Sequence, residues 1–308
     1  MLDDIRLNFV KERLRIDNGS DYVNYPKFIE IETMSGCNAK CIMCPVPTQK
    51  RKGIIKDNLF TQIVDEISHY KDWINFVSLS RNGEPLLDKK LPSRVKQLKD
   101  AGIKYVSFST NASLLTREKG KELLESGLDE LRISIDGFSK NTFEIVRKGL
   151  DFEQVKMNAL NFIKIRNDAG IKPIFQISFV EQEENKHEIK EWTNFWSSVI
   201  SKNDVVASKK MHSWGNQIYS KNINYENPAC ISPFSTIEVL YDGIVPLCGC
   251  DSVPTIVLGN ANKSTIKTIW QSYQFEQIRK KHLNGNRSDI KICGGCNIWD
   301  LDIKSVYS

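Results

Sequence analysis

The chain has 308 residues, of which 40% are hydrophobic and 26% charged, and its formal net charge is +5. These values suit a globular α/β domain with a small appendage, with no apolar run near the roughly 20 residues of a membrane helix. The N-terminus is charged and lacks a signal-peptide core, which predicts a cytoplasmic protein whose eight cysteines bind metal rather than form disulfides. Because the basic clusters are short, we expect no nucleic-acid partner, and because no apolar run is long enough for a membrane helix, we expect no membrane partner.

Strand-like and helical patterns alternate after a lead-in at residues 1–26. The predicted strands are Phe28–Glu32, Ile74–Ser80, Ile103–Ser109, Glu130–Ile135, Pro173–Val180 and Val205–Met211. The predicted helices are Leu59–Tyr70, Leu91–Ala101, Arg117–Ser126, Phe152–Asp168 and Lys186–Val199. This alternation predicts an α/β fold with a parallel sheet, and six units make a partial (β/α)6 TIM-like barrel. We assign residues 27–217 to the barrel and 218–308, which opens with a polar linker at 219–228, to a second domain.

Three cysteines follow the first predicted strand in the pattern Cys-x3-Cys-x2-Cys, namely Cys37, Cys41 and Cys44. Three thiolates this close in sequence can converge on one metal centre, but they leave a four-iron cluster one ligand short. The pattern therefore predicts an iron–sulfur site with an open position. A zinc site or structural thiols are the alternative, although zinc-binding cysteines more often come as Cys-x2-Cys pairs.

This spacing resembles the signature of the radical S-adenosylmethionine (SAM) superfamily. The resemblance implies a [4Fe-4S] cluster whose open iron is chelated by SAM. It also implies reductive cleavage of SAM to a 5′-deoxyadenosyl radical, which abstracts a hydrogen atom from the substrate. Met43 occupies the position before the last cysteine, which is usually aromatic in the family and is implied to contact the adenine.

Polar residues follow the next predicted strands, where the loops of a parallel barrel gather. Gly83 and Glu84 resemble part of the Gly-Gly-Glu-Pro motif that binds the SAM amino group, with Asn82 in place of the first glycine. The further matches to family positions that contact SAM are Asn111, Ser134 and Arg147, the last implied to pair with the SAM carboxylate. Each of these groups alone would more often be a turn or a helix cap. Their order at successive strand ends favours a SAM site.

The sixth predicted strand leads into His212 and Trp214, where a substrate would lie. His212 is a candidate catalytic residue, and a hydrogen-bonded structural histidine is the alternative.

A second group of cysteines comes after residue 218. Its expected metal ligands are Cys230, Cys248, Cys293 and Cys296. Between them we predict a β-hairpin, Phe234–Tyr241 and Ile244–Leu247 around Asp242-Gly243, and a helix at about 264–282. The segment resembles the SPASM extension in its short Twitch form, which implies an α+β domain with one auxiliary [4Fe-4S] cluster. Four cysteines could instead bind zinc.

Cys250 is left over from this set. It lies two residues beyond Cys248 in an extended segment and is therefore expected to point to the same side as the ligand. The functional interpretation is a thiol that donates a hydrogen atom to a substrate radical, and the alternative is a small buried hydrophobic residue.

The whole pattern is similar to the Twitch enzymes of aminoglycoside biosynthesis. That resemblance implies oxidation of a secondary alcohol of a sugar or aminocyclitol, with the auxiliary cluster accepting an electron from the substrate and a reduced flavodoxin or ferredoxin as electron donor. Candidate bases are His212, Arg147 and Glu181. The alternatives are epimerisation of a carbohydrate with Cys250 as hydrogen donor, modification of a peptide, and a non-enzymatic iron–sulfur electron carrier, which would need no SAM pocket.

Overall fold

The computed structural model describes residues 2–18, 20–170, 173–215, 217–218 and 229–298, so the predicted linker at 219–228 lies outside the described residues. The α-helices are α1 (Leu2–Leu14), α2 (Asp57–Ser68), α3 (Leu91–Asp100), α4 (Arg117–Glu125), α5 (Lys140–Val146), α6 (Phe152–Asp168), α7 (Ile189–Val199), α8 (Ser232–Ser235), α9 (Ile266–Trp270) and α10 (Tyr273–Leu283). The β-strands are β1 (Phe28–Ile31), β2 (Met34–Ser35), β3 (Lys40–Cys41), β4 (Gly53–Ile54), β5 (Phe76–Ser78), β6 (Val106–Thr110), β7 (Glu130–Ser134), β8 (Arg147–Lys148), β9 (Ile174–Glu181), β10 (Val205–Lys210), β11 (Thr236–Val239), β12 (Ile244–Pro246) and β13 (Val257–Asn260). Within the described ranges, no helix has the length and apolar character needed to cross a membrane.

One compact unit consists of residues 33–54 and 78–211. Its main ladder has four parallel strands in the order β10-β9-β7-β6, with helices in each connection between them. Phe108, Ile133 and Ile177 are fully buried in these strands. Parallel strands joined through helices confirm the predicted α/β class. The carboxyl ends of β6 and β7 lead into loops that contain Asn111 and Asp136, and these loops build the site described below.

The other compact unit takes in residues 1–32, 55–77 and the described residues from 212 onward. In it, β1 lies between β5 and β11 and pairs with β11 in parallel, with Ile29 opposite Ile237. Helix α1 shares an apolar cluster with the segment around Cys230. The members of that cluster are Val10, Leu14, Ile16, Phe28, Ala229, Ile231 and Phe234. Residues about 200 positions apart in the sequence therefore form one core.

The predicted hairpin forms at its tip, where the Leu240 amide donates to the Ile244 carbonyl at 2.9 Å, but its two strands belong to different sheets. The chain does turn at Asp242-Gly243, where the Gly243 amide donates to the Leu240 carbonyl at 2.7 Å and Gly243 adopts a φ of 85°. However, β11 pairs with β1, and β12 pairs antiparallel with β13, with Ile244 opposite Asn260. An Asp-Gly turn reverses the chain, but it does not determine which edges the two strands then join.

Candidate functional site

The loop of three cysteines is held by the segment that follows α5. Strand β3 pairs antiparallel with β8, which places Cys41 opposite Arg147, and the Ile42 amide donates to the Val146 carbonyl at 3.0 Å. The Cys44 amide donates to the Cys41 carbonyl at 3.1 Å, closing a turn between these two thiols. Short pairing with a distant segment therefore fixes a loop that is only a few residues long.

The three thiols of this loop are close enough to act on one another electrostatically. Burial raises the pKa of Cys37, Cys41 and Cys44, that of Cys44 to about 11. The charge of Cys41 adds to the rise at Cys37, and the charges of Cys41 and Cys37 add to it at Cys44. Three crowded thiolates are unfavourable without a positive centre, and soft thiolates are the ligands that iron–sulfur clusters use. The donor set therefore fits a cluster with three protein ligands.

Two asparagines support the first cysteine. Asn111 donates through Nδ2 to Asn38 Oδ1 at 2.9 Å and also contacts Cys37 Sγ at 3.8 Å. Asn38 donates in turn to Ser113 Oγ at 2.8 Å, and Ser113 Oγ donates to Asn111 Oδ1 at 2.7 Å. This closed polar triangle ties the cysteine loop to the end of β6. Asn111 was predicted at the site, whereas Asn38 and Ser113 were not.

Gly83 and Glu84 lie against the start of the same loop. Gly83 forms a β-bridge with Gly36, and a Cβ at this position would lie 2.7 Å from the Gly36 carbonyl oxygen. The Glu84 side chain is 2% exposed and accepts hydrogen bonds from Thr110 Oγ1 at 2.6 Å and from the Asn111 amide at 2.7 Å. Burial raises the pKa of Glu84 although these donors oppose the rise. The structure thus places this carboxylate between two strand ends.

Arg147 forms a buried ion pair with Asp136, a residue that the sequence analysis did not single out. Its Nη2 and Nε atoms lie 2.6 and 2.7 Å from Asp136 Oδ2, and Nη1 lies 3.9 Å from Cys41 Sγ. Burial alone would lower the pKa of Arg147, but the charges of Asp136 and Cys41 raise it above its usual value. Arg147 therefore stays cationic and is unsuited to act as a base, while its charge lies beside the cysteine loop.

The two remaining residues of this unit that are predicted to contact SAM are Ser134 and Met43. Ser134 ends β7 and its hydroxyl is 3.3 Å from that of Ser178 on β9. Met43 is buried within the cysteine loop. The contacts of both residues with SAM stay predictions, as do those of Gly83, Glu84, Asn111 and Arg147.

The second group of thiols lies in the other unit, and none of the eight cysteines, all of them within the described residues, forms a disulfide. Cys293 and Cys296 share a turn in which the Cys296 amide donates to the Cys293 carbonyl at 3.3 Å. Burial raises the pKa of Cys230 to about 12, and the charges of Cys296 and Cys248 add to it. Burial and the charges of Cys248, Cys230 and Cys296 also raise the pKa of Cys293. The four predicted ligands are therefore neighbours.

Cys250 belongs to the same group of thiols. Its side chain is buried and donates hydrogen bonds to the sulfurs of Cys248 and Cys296. These bonds and burial raise the pKa of Cys250, while the same donation lowers the pKa of Cys296. The structure thus brings Cys250 to the predicted ligands, in agreement with the expectation that it points to the same side as Cys248.

No set of three or more His, Cys, Asp or Glu side chains within the described ranges is grouped so as to hold a metal ion. The ligands of a single zinc ion all lie about 2.3 Å from one centre. An iron–sulfur cluster is larger, because each cysteine binds a different iron atom.

His212 is buried in the unit that contains the second thiol group. Its Nδ1 accepts from the Trp214 amide at 3.2 Å, and the two rings lie 4.5 Å apart. Trp214 has a φ of 48°, a left-handed conformation that is rare for a residue other than glycine. The amide of Ser213, which lies between His212 and Trp214, donates to Asn297 Oδ1 at 2.8 Å. A catalytic role for His212 stays a prediction, and the structure gives this histidine a local hydrogen bond.

The family model of the radical SAM superfamily matches residues 31–195, more than half of the chain. The chain belongs to the radical SAM superfamily. The model of the SPASM iron–sulfur cluster-binding domain matches residues 230–297. Both findings confirm the resemblance seen in the cysteine patterns, and they imply SAM, a radical SAM [4Fe-4S] cluster and auxiliary iron–sulfur binding.

Among curated relatives, the chain is 25% identical over 289 residues to the S-adenosyl-L-methionine-dependent 2-deoxy-scyllo-inosamine dehydrogenase of Niallia circulans, covering 91% of this chain and 96% of the relative. The chain spans about half the length of other curated relatives that it matches. Among solved structures, BtrN in complex with AdoMet and 2-DOIA has a TM-score of 0.61 at 22% identity, over 88% of this chain and 92% of that chain. Streptococcus suis SuiB bound to precursor peptide SuiA has a TM-score of 0.66 at 15% identity, over 83% and 67%. The two structural likenesses show a shared fold.

The radical SAM assignment gives the polar network of the first unit a physical meaning. Asn38, Ser113 and Asp136 do not stand in a recognisable motif, so sequence patterns alone did not reveal them. Asp136 follows Ser134 by two residues at the end of β7, and its partner Arg147 comes eleven residues later. A carboxylate before α5 and an arginine directly after it are the local signal that could have suggested this pair.

Proposed function

We propose that this chain is a radical SAM dehydrogenase that oxidises a secondary alcohol of an aminocyclitol or related sugar. The observation that carries the proposal is the likeness to the inosamine dehydrogenase, which runs through nearly the full length of both chains. The converging thiols of Cys37, Cys41 and Cys44 support the presence of the cluster that such a reaction needs.

When bound, the cluster supplies the electron that cleaves SAM into methionine and the radical that removes hydrogen. The substrate loses a hydrogen atom from its carbinol carbon, a proton from its hydroxyl group and one electron, which together leave a ketone. In this scheme Cys37, Cys41 and Cys44 hold the first cluster, and Cys230, Cys248, Cys293 and Cys296 hold the auxiliary cluster that takes the electron. Asn111 and Arg147 fix two of the three thiols of the first set.

The SAM-binding residues are proposed from the same geometry. Gly83 brings the backbone close to the cysteine loop, and Glu84 supplies a buried carboxylate that can accept from an ammonium group. Ser134 and Asn111 offer polar groups at neighbouring strand ends, and Arg147 offers a cation. Met43 lies inside the loop as an apolar contact for the adenine.

The test is anaerobic reconstitution with iron and sulfide, followed by reaction with SAM, dithionite and aminocyclitols deuterated at the carbinol carbon. We expect one equivalent of ketone for each 5′-deoxyadenosine and transfer of deuterium into the 5′-deoxyadenosine. Cys41→Ala is the control and should form neither product. Formation of 5′-deoxyadenosine without deuterium transfer or ketone, across the aminocyclitols and sugars tested, would contradict the proposal.

The physiological electron donor is proposed to be a reduced flavodoxin or ferredoxin. Replacement of dithionite by either protein should support SAM cleavage, and the choice between them can be read from the rate. His212 and Glu181 are the candidates for the base that accepts the hydroxyl proton. Substitution of the true base should slow ketone formation more than SAM cleavage.

A second candidate function is epimerisation, which is favoured by the state of Cys250. Its thiol is buried, donates hydrogen bonds to two neighbouring sulfurs and has a raised pKa, so it carries the S–H hydrogen that a substrate radical could take up. Transfer of that hydrogen atom would regenerate the carbon–hydrogen bond with inverted configuration and leave a sulfur radical, which an electron from the reduced flavodoxin or ferredoxin and a proton from solvent would return to the thiol.

Turnover in deuterated water separates the two functions. An epimerase places solvent deuterium on the substrate carbon, and Cys250→Ala abolishes that incorporation. A dehydrogenase yields ketone in both proteins. Ketone formation by Cys250→Ala at the unsubstituted rate, with no deuterium on carbon, would reject the epimerase.

A further inference from the structure

Arg287 is a buried cation in the unit that contains the second thiol group. It begins a short 3-10 helix, Arg287–Asp289, between α10 and the Cys293–Cys296 turn, and it is 5% exposed. Its Nη2 atom donates to the Cys296 carbonyl oxygen at 3.2 Å. One hydrogen bond to the backbone of a predicted ligand therefore fixes the guanidinium beside the thiols.

The charge of Arg287 acts on several of these thiols at once. It lies close enough to Cys230, Cys293 and Cys296 to act on each of them electrostatically. Burial lowers the pKa of Arg287 itself, while the same three thiolates oppose that change. Since arginine keeps its proton in proteins, the group remains a cation. Three ligands that come from two separate parts of the sequence thus share one positive neighbour.

The nearby histidine does not contribute a second charge. His282 is 1% exposed, and its Nδ1 accepts from the Cys230 amide at 3.1 Å. Because Nδ1 accepts this hydrogen bond, it carries no proton, and the ring is therefore the neutral tautomer. The positive charge of this pair therefore belongs to Arg287.

We infer that Arg287 sets the reduction potential of the auxiliary iron–sulfur cluster by placing a buried positive charge against its cysteine ligands. The inference rests on the proposed function, because it requires that these cysteines hold a cluster. Taking up one electron makes a cluster more negative by one charge, and a nearby cation stabilises that reduced state. The electron is the one that the substrate loses after its hydrogen atom and its hydroxyl proton have left. Arg287 thus favours oxidation of the substrate.

The chain offers a matched control in Arg279 on α10. Arg279 is 3% exposed, lies 4.2 Å from the Trp270 ring and donates through Nε to the Pro233 carbonyl at 2.9 Å. The charged groups that act on it are Tyr22 and Glu276 rather than thiols. It is a buried arginine of the same unit, and removing it should disturb packing without changing the charge beside the cluster.

The test is a redox titration of the auxiliary cluster followed by electron paramagnetic resonance. The full-length background carries Cys37→Ala, Cys41→Ala and Cys44→Ala, so that the first cluster is absent. We expect Arg287→Gln to lower the equilibrium constant for one-electron reduction at least tenfold, which corresponds to about 59 mV. Arg287→Lys, which keeps the charge, should recover most of the difference, and Arg279→Gln should leave the potential unchanged.

The outcomes are distinguishable from failure of the proposed function. A background protein that holds no cluster would overturn both the cofactor assignment and this inference. A full cluster with an unchanged potential in Arg287→Gln would overturn the inference alone. If Arg287→Gln fails to hold iron, Arg287→Met replaces it, because the adaptable methionine side chain fills space without adding a buried polar group that needs a hydrogen-bond partner. Loss of the cluster in both neutral variants would also overturn the inference, since Arg287 would then be needed for assembly rather than for the potential.

Discussion

Gly83 shows how a single residue can determine the position of the cysteine loop. A Cβ at Gly83 would lie 2.7 Å from the Gly36 carbonyl oxygen and 2.9 Å from the Gly36 amide nitrogen, both of them backbone atoms that cannot rotate away. We expect Gly83→Ala to lower the free energy of unfolding by about 1–3 kcal/mol, the usual cost of overpacking. Because Gly36 directly precedes Cys37, the iron content of the reconstituted protein should fall as well. Urea denaturation and iron analysis measure the two effects.

Gly120→Ala is the matched control for this substitution. Gly120 lies in α4, and its added Cβ would meet the end of the flexible Ile165 side chain at 2.8 Å rather than backbone. Alanine is the better helix former, by about 0.5–1 kcal/mol, which offsets part of that contact. The iron content of Gly120→Ala should equal that of the unsubstituted protein. Equal iron content in both variants would contradict the role given to Gly83.

At the residue scale, the sequence is informative where the chemistry is local. The spacing of Cys37, Cys41 and Cys44 predicts the metal site because the three ligands lie within eight residues of one another. Asp136 could not be predicted in the same way. Its significance comes from the guanidinium of Arg147, and this contact exists only once α5 has formed between the two residues.

Glu188 illustrates the element scale, because it anchors the start of α5 from a different part of the chain. Its carboxylate accepts from the Phe138 amide at 2.6 Å, the Ser139 amide at 3.1 Å and Thr142 Oγ1 at 2.7 Å. Helix α5 ends at Val146, and the next residue is Arg147, which holds Cys41. An anion at a helix N-terminus satisfies free amide groups and is favoured by the helix dipole.

We expect Glu188→Gln to lower the free energy of unfolding by about 1–3 kcal/mol at pH 7, as for loss of charged hydrogen bonds. Burial opposes ionisation of Glu188, but its hydrogen bonds lower the pKa below the usual value. A carboxyl group with a lowered pKa stabilises the fold above its unfolded pKa, and this contribution disappears as the pH falls through the folded value. The difference between the two proteins should therefore shrink below about pH 4. Denaturation at several pH values measures it.

Glu191→Gln is the control, three residues further along and exposed on α7. It should change the free energy of unfolding by less than about 0.5 kcal/mol at every pH. A constant difference for Glu188→Gln between pH 3 and pH 7 would show that the carboxylate charge does not carry the effect.

The elements themselves were predictable where a periodic pattern was long. The predicted helix Phe152–Asp168 matches α6 at both ends, since Asp151 caps it by accepting from the Gln154 amide. The predicted helix at about 264–282 is interrupted, because Ser272 accepts from the Phe275 amide and starts α10 anew. Strand partners were harder to predict. β11 joins β1, more than 200 residues earlier in the sequence, and nothing in a local pattern encodes that choice.

At the scale of the whole molecule, the second group of thiols depends on a core whose residues lie about 200 positions apart in the sequence. Leu14 of α1 belongs to the apolar cluster that contains Ala229 and Ile231, the neighbours of Cys230. An iron–sulfur cluster that binds only the folded state stabilises that state by mass action, and a mutation that destabilises the folded state therefore weakens binding of the iron–sulfur cluster. We expect Leu14→Ala to cost about 2–5 kcal/mol and to release the auxiliary cluster first. Iron retained after incubation with a chelator should fall from roughly eight toward roughly four atoms per chain.

Leu98→Ala, which removes a fully buried leucine from α3 in the other unit, is the control. It should cost a similar free energy of unfolding but keep the resonance signal of the auxiliary cluster. Loss of the same signal at the same rate in both variants would contradict the dependence of the auxiliary cluster on the core at Leu14.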